Sequence, residues 1–140
     1  MSSTRNEVDD FLGGPGLYFA RFPDIGDTVS GVVCRQPYVT EQVDMNGEVK
    51  RYEDGNAMKM LVVPIEVEDG REVCLAVKGS LDPASKSMRA AVTAALNEAD
   101  ARLEVGGRLT VVYIGDGEPA RPGFFAPKQY RASYEKPRGA

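Results

Sequence analysis

Between positions 121 and 131, Arg121, Phe124, Phe125, Lys128, Tyr130 and Arg131 alternate cation and ring. Single-strand nucleic-acid binders use this pairing: cations track phosphates while bases stack on aromatic faces, each stack contributing ~1–3 kcal/mol. Phe124 and Phe125 lie between Pro122-Gly123 and Ala126-Pro127, so the pair cannot turn into a core as residues on a strand would. One ring plugging the end of the fold is the competing use. A second group, Tyr38, Arg51 and Tyr52, offers the same chemistry in another long loop. Arg35, Lys59, Lys78 and Arg108 fall on or beside strand-like runs, where outward positions on neighbouring strands adjoin.

Catalytic chemistry finds no comparable set. The chain has no histidine, which removes the usual general base and the common zinc ligand sets. It carries neither a phosphate-cradling Gly-x-x-x-x-Gly-Lys-Ser/Thr nor a Gly-x-Gly-x-x-Gly that opens a helix after a strand. The acidic pairs Asp9-Asp10 and Asp24/Asp27 stand in irregular segments with no partner ligands nearby. Cys34 and Cys74 each sit inside an apolar run and read as small core residues. The expectation is a binding protein with no active site, metal or cofactor.

The net charge of −4 runs against the basic balance of most nucleic-acid binders. The charge is uneven, however. Residues 1–57 hold 5 Lys/Arg against 10 Asp/Glu, whereas residues 116–140 hold 5 against 3. A local basic groove is compatible with an acidic total. No apolar run approaches the ~18 residues of a membrane span, and the N-terminal residues have no apolar signal core. A cytoplasmic protein away from membranes is the expectation.

At 140 residues the chain has the length of one domain, without internal repeats. Residues 1–24 read as an irregular arm, with Gly13-Gly14-Pro15-Gly16 followed by Tyr18, Phe19 and Phe22. The aromatics of that arm either contact a partner or cap the core. A β-branched run from Thr28 to Arg35 predicts the first strand, with Gly31 marking a bend and Pro37 ending regular pairing. Asn46-Gly47 between alternating segments predicts a projecting hairpin, with a second turn at Asp54-Gly55-Asn56. Met58–Val67 and Glu72–Gly79, joined at Asp69-Gly70, predict the second and third strands.

The period then changes. Met88, Ala91, Val92, Ala95, Leu96, Ala99 and Leu103 fall three and four apart, predicting a helix over residues ~84–103. Asp82-Pro83 or Ser87 can start it, and Gly106-Gly107 stops it. Arg89 and Arg102 fall on its polar face. Leu109–Ile114 and Gln129–Tyr134 predict two further strands, with Tyr113 and Tyr134 as wall or core residues. Residues 25–135 form the domain and 136–140 a short tail.

Three strands, a helix and two strands make the element order of the OB-fold, a mostly β, five-stranded Greek-key barrel with one helix between strands three and four. Its ligand face lies on strands two and three, between the first-to-second and fourth-to-fifth loops. Those two loops, 38–57 and 115–127, are the longest here. Lys59 and Lys78 lie on the two face-forming strands. The candidate nucleic-acid-binding set is therefore Arg35, Tyr38, Arg51, Tyr52, Lys59, Lys78, Arg121, Phe124, Phe125, Lys128 and Tyr130.

Several segments in order carry a resemblance: Val8-Asp9-Asp10-Phe11-Leu12, Phe22 to Gly31, Asp54-Gly55-Asn56, Val77-Lys78-Gly79 and Met88 to Val92. Leu103 to Gly107, Tyr113 to Pro119 and Pro127 to Tyr130 complete it. The pattern resembles small OB-fold single-stranded DNA-binding proteins encoded by tailed phages of actinobacteria. That resemblance implies a sequence-tolerant protein that coats single-stranded DNA during replication or recombination in the host cytoplasm. Many replicative single-strand binders end in an acidic recruiting tail, whereas this chain ends Glu135-Lys136-Pro137-Arg138-Gly139-Ala140. RNA as the ligand and self-association stay open. The acidic first half keeps a rival reading, an OB-fold protein-interaction module without nucleic-acid binding.

Overall fold

The computed structural model describes residues 18–119, 122–123 and 125–138. Arg121, Phe124, Asp9-Asp10 and the glycine cluster at 13–16 lie outside the described residues. Six strands form one antiparallel sheet: β1 Thr28–Val33, β2 Tyr38–Glu41, β3 Lys59–Val67, β4 Glu72–Val77, β5 Arg108–Asp116 and β6 Lys128–Glu135. One α-helix, α1 (Met88–Ala99), falls between β4 and β5 and packs chiefly on β6.

The sixth strand comes from the segment read as one arm of the projecting hairpin. Tyr38–Glu41 pairs with Lys59–Val62, and Gly31–Val33 pairs further along the same edge of β3. Two prolines break the edge between them. The carbonyl of Pro64 accepts from the Cys34 N–H at 3.0 Å, so the donor that Pro64 lacks would face the same edge, where the ladder stops and Pro37 follows. Beyond β2, residues 42–58 fold into a small meander. Lys50 N–H donates to the Gln42 carbonyl and Met58 N–H to the Lys50 carbonyl, both at 2.8 Å. The turn at 44–47 contains Asn46-Gly47, with Gly47 at φ 81°.

Strand alternation sorts the sheet into two faces. Val33, Ile65 and Val73 form one cross-strand row on the inner face, and Leu61 with Val77, Val63 with Leu75, and Leu109 with Tyr134 form others. These residues, with Phe22, Met88, Val92, Ala95, Val111 and Tyr113, make the core. Two glycines permit close approaches. A Cβ on Gly31 would stand 2.6 Å from the Glu66 carbonyl oxygen, and one on Gly107 would stand 2.0 Å from the Tyr134 hydroxyl. That hydroxyl accepts from the Glu104 N–H at 3.2 Å.

The helix is shorter than the apolar spacing predicts. Ser87 caps it, its hydroxyl accepting from the Ala90 N–H at 3.1 Å, and Asp82 instead caps a preceding 3₁₀ turn at Pro83–Ser85. Asp100 ends it at φ 52°, the left-handed conformation that closes helices. Ala101 and Leu103 still pack on the core, but from irregular chain past the helix. Their burial preserves the apolar period without the helix.

The sheet is open. Among the described residues no ladder joins β4 to β6. A strap, residues 18–22, lies along the free edge of β4 in its place. Ala20 N–H donates to the Cys74 carbonyl at 2.9 Å and Cys74 N–H to the Tyr18 carbonyl at 2.8 Å. Phe19 thus bridges Cys74 in parallel sense, and Phe22 is buried in the core. The arm read as irregular supplies an edge segment and a core ring.

Candidate nucleic-acid interface

The outer face of β2, β3 and β4 carries a row of register partners, Tyr38, Val62 and Ala76. Thr40 and Met60 form the next row, which points toward Lys78 just past the end of β4. Val62 and Cys74 are only 1% and 2% exposed, yet neither belongs to the main core. The floor of this face is therefore small, apolar and tightly packed, with Tyr38 (43% exposed) standing on it. Since Val62 and Cys74 are covered, the exposed ring of Tyr38 is the part of this face open to another flat ring.

At the β4 edge this face runs into a pocket of about 400 Å³ in the seam between β4 and β6. Ala20, Arg21, Phe22 and Pro23 of the strap line it, with Ala76, Lys78, Met88, Lys128 and Tyr130. Lys78, Lys128 and Tyr130 come from distant parts of the sequence and share this pocket. Arg21 joins them. Its neighbours in sequence are irregular, so no period marked it; only the pairing of the strap with Cys74 brings it here.

Each group has a fixed setting. The Lys128 ammonium donates to the Phe22 carbonyl and lies 4.8 Å from the centre of the Tyr113 ring. Tyr130 meets Phe22 edge-on at 5.3 Å and Tyr113 at 6.0 Å between centroids, and burial pushes its phenol pKa up. Burial first, and then the positive charge of Lys50, hold the Lys78 ammonium below the usual lysine value. Lys50, on the meander, is a second cation that sequence reading did not single out. The Tyr113 hydroxyl donates to Asp116, which raises its pKa to about 12.

A larger cleft of about 600 Å³ opens on the other side of the strap, lined by Tyr18, Arg21, Ser30, Glu68, Asp69 and Arg71 among others. It contains two carboxylates, and Asp69 holds the Arg71 guanidinium at 2.6 Å. Among the described residues the seam pocket has no carboxylate in its lining. Size favours the first cleft, but a polyanion is better matched by the second.

Comparison of the chain with family models, curated proteins and solved structures finds no match. The site's chemistry therefore stands on its own geometry.

The remaining sequence candidates are dispersed. Lys59 pairs in register with Glu41 and shares the inner-face parity of Leu61 and Val63, so it stands on the face opposite Lys78. Arg35 forms an ion pair with Glu72 at 3.1 Å on the outer face. Arg51 donates to the Gly55 carbonyl within its own turn, and Tyr52, also on the meander, is exposed. Phe125 is fully exposed at 100% in the loop between β5 and β6. Cys34 and Cys74 flank Pro64 across two strand spacings, ~10 Å, beyond the ~7 Å Cα separation a disulfide spans. Cys74 is buried as read; Cys34 is only half-buried, and burial raises both thiol pKa values. Among the described residues no three Cys, Asp or Glu side chains converge as metal ligands, and no helix is long and apolar enough to cross a membrane.

Proposed function

We propose that this protein binds single-stranded DNA, without sequence preference and without catalysis, on an OB-fold barrel. In this reading β1 and β2 are two halves of one bent first strand, and the strap fills the seam that direct strand pairing leaves open. The observation that carries it is the continuity of the outer face with the seam pocket. The row from Tyr38 through Val62 ends at Ala76 in the pocket lining, and Lys78, Lys128, Arg21 and Tyr130 line the same pocket with no carboxylate among the described residues. Bases stack on the exposed rings while phosphates follow the cations. The resemblance to actinobacterial-phage proteins supports the same reading and sets the work in DNA replication or recombination, in the host cytoplasm.

The test is a salt titration of oligothymidine binding by fluorescence anisotropy. Contacts to single-strand phosphates release counterions, so log affinity falls linearly with log salt at a slope of about −0.7 per contact. Three cations in the footprint give a slope near −2. Binding that is absent at low salt, or that ignores salt, overturns the reading.

One observation favours a second use. The meander exposes Val43 and Met45, at 55% and 101%, among Asp44, Glu48, Glu53 and Asp54. An apolar tip ringed by carboxylates suits a basic protein partner better than DNA. That is the protein-interaction module, and DNA-independent retention of a partner lost in Met45→Asp would support it.

A further inference from the structure

Three cations of the seam pocket come from three separate elements: Arg21 from the strap, Lys78 from the end of β4, and Lys128 from the start of β6. No ion pair among the described residues includes any of them. All three side chains are exposed, and three cations lining one pocket set up a positive potential that favours an anion there. We propose that the seam pocket is a nucleotide-phosphate site, and that its occupant ties the strap, β4 and β6 together. This rests on the single-strand reading for its place in the strand's path, but the pocket chemistry stands apart from it.

The donors are present in the lining. Lys128 spends one N–H on the Phe22 carbonyl, and an ammonium has three. Among the described residues Lys78 has no ion-pair partner, and the nearby Lys50 charge adds to the positive potential a phosphate would meet. The guanidinium of Arg21 can grip two phosphate oxygens at once. Tyr130 adds a flat wall whose position is fixed by Phe22 and Tyr113. A volume of about 400 Å³ lies within the ~300–1,000 Å³ range of small-ligand sites and admits one nucleotide. Ala76 belongs both to the outer row and to the pocket lining, so a strand on the face reaches the pocket without a gap.

The pocket also closes the fold. Where the ladder between β4 and β6 is missing, an anion bridging the three cations adds to the hydrogen bonds that tie the strap to Cys74 and to Lys128. Ligand binding then stabilises the native state.

The probe is thymidine 5′-monophosphate, with thymidine as the control that keeps the base and lacks the phosphate. Thermal melting should rise by about 4 °C at roughly tenfold saturation with the monophosphate and stay unchanged with thymidine. Lys78→Gln combined with Lys128→Gln should abolish the rise, while Arg102→Gln, an exposed residue in the segment after α1, retains it. If the double variant does not fold, amide resonances of the native protein decide: monophosphate-specific shifts should centre on Arg21, Lys78 and Lys128. Shifts centred elsewhere, an equal response to thymidine, or a rise that survives in the folded double variant overturns the site. Oligothymidine with and without a 5′-phosphate separates a strand end from an internal phosphodiester as the source. A native protein that answers to the monophosphate but binds no oligonucleotide keeps the pocket and sinks the single-strand reading instead.

Discussion

Phe22 and Tyr130 meet edge to face with ring centres 5.3 Å apart, joining the strap to β6 across the open seam. Both rings rest on the core, and Phe22 is almost fully buried. The pair does what a ladder between β4 and β6 would otherwise do.

Phe22→Ala should therefore act as a core truncation, costing about 3–5 kcal/mol in urea unfolding. Loss of the strap's anchor should also lower affinity for oligothymidine, since Arg21 moves with it. A variant that keeps its unfolding midpoint would show that the strap contributes nothing to the fold.

Lys78→Ala should flatten the salt slope of oligonucleotide binding by about 0.7. Lys59→Ala should leave the slope unchanged, because Lys59 shares the inner-face parity of Leu61. Anisotropy titrations on the two single variants make the comparison. Equal effects would contradict the assignment of the two lysines to opposite faces.

Phe125→Ala should separate binding from folding. With its ring fully exposed, truncation should barely move the melting temperature. If the ring stacks on a base, affinity for oligothymidine falls by roughly 1–3 kcal/mol. Unchanged affinity with unchanged melting would leave Phe125 outside the footprint.

Tyr113 should be the last tyrosine to ionise. Its hydroxyl donates to Asp116, and the carboxylate holds its pKa at about 12 against an ordinary 10.0. The folded value lies above the unfolded one, so the protonated phenol is favoured in the native state. Its stabilising contribution is complete below pH 10 and fades as the pH climbs toward 12. Phenolate absorbance in the native protein should show a late-titrating component that Tyr113→Phe removes. A single titration near pH 10 for every tyrosine would refute it.

Much of the order of elements was legible because it is local. The change of period after Gly79, the Asn46-Gly47 turn and the Ser87 cap each act within a few residues of themselves. Leu103 misled for the same reason. It sits at helical spacing, but Asp100 in a left-handed conformation ends the helix and leaves Leu103 to reach the core from irregular chain. The break between β1 and β2 needed Pro37 and Pro64 read together, two positions far apart in sequence.

The site was half legible. Lys78, Lys128 and Tyr130 stood out by type and local company, and they do converge on one pocket. Arg21 did not, because its role depends on a bridge between Phe19 and Cys74. Lys59 was grouped with Lys78 by strand, whereas register parity separates them. Residue type proposes a ligand; pairing decides which face carries it.

The strap also orders events in time. Its hydrogen-bond partner is Cys74 and its ring partner is Tyr130, so a chain emerging from the ribosome exposes residues 18–22 long before either partner exists. Contacts of such sequence separation carry a large loop-closure cost and form late. Until β6 emerges, the edge of β4 lacks the cover that Phe22 fastens, and an unpaired strand edge is where nascent chains associate wrongly. The strap is made before its partners and settles only after them.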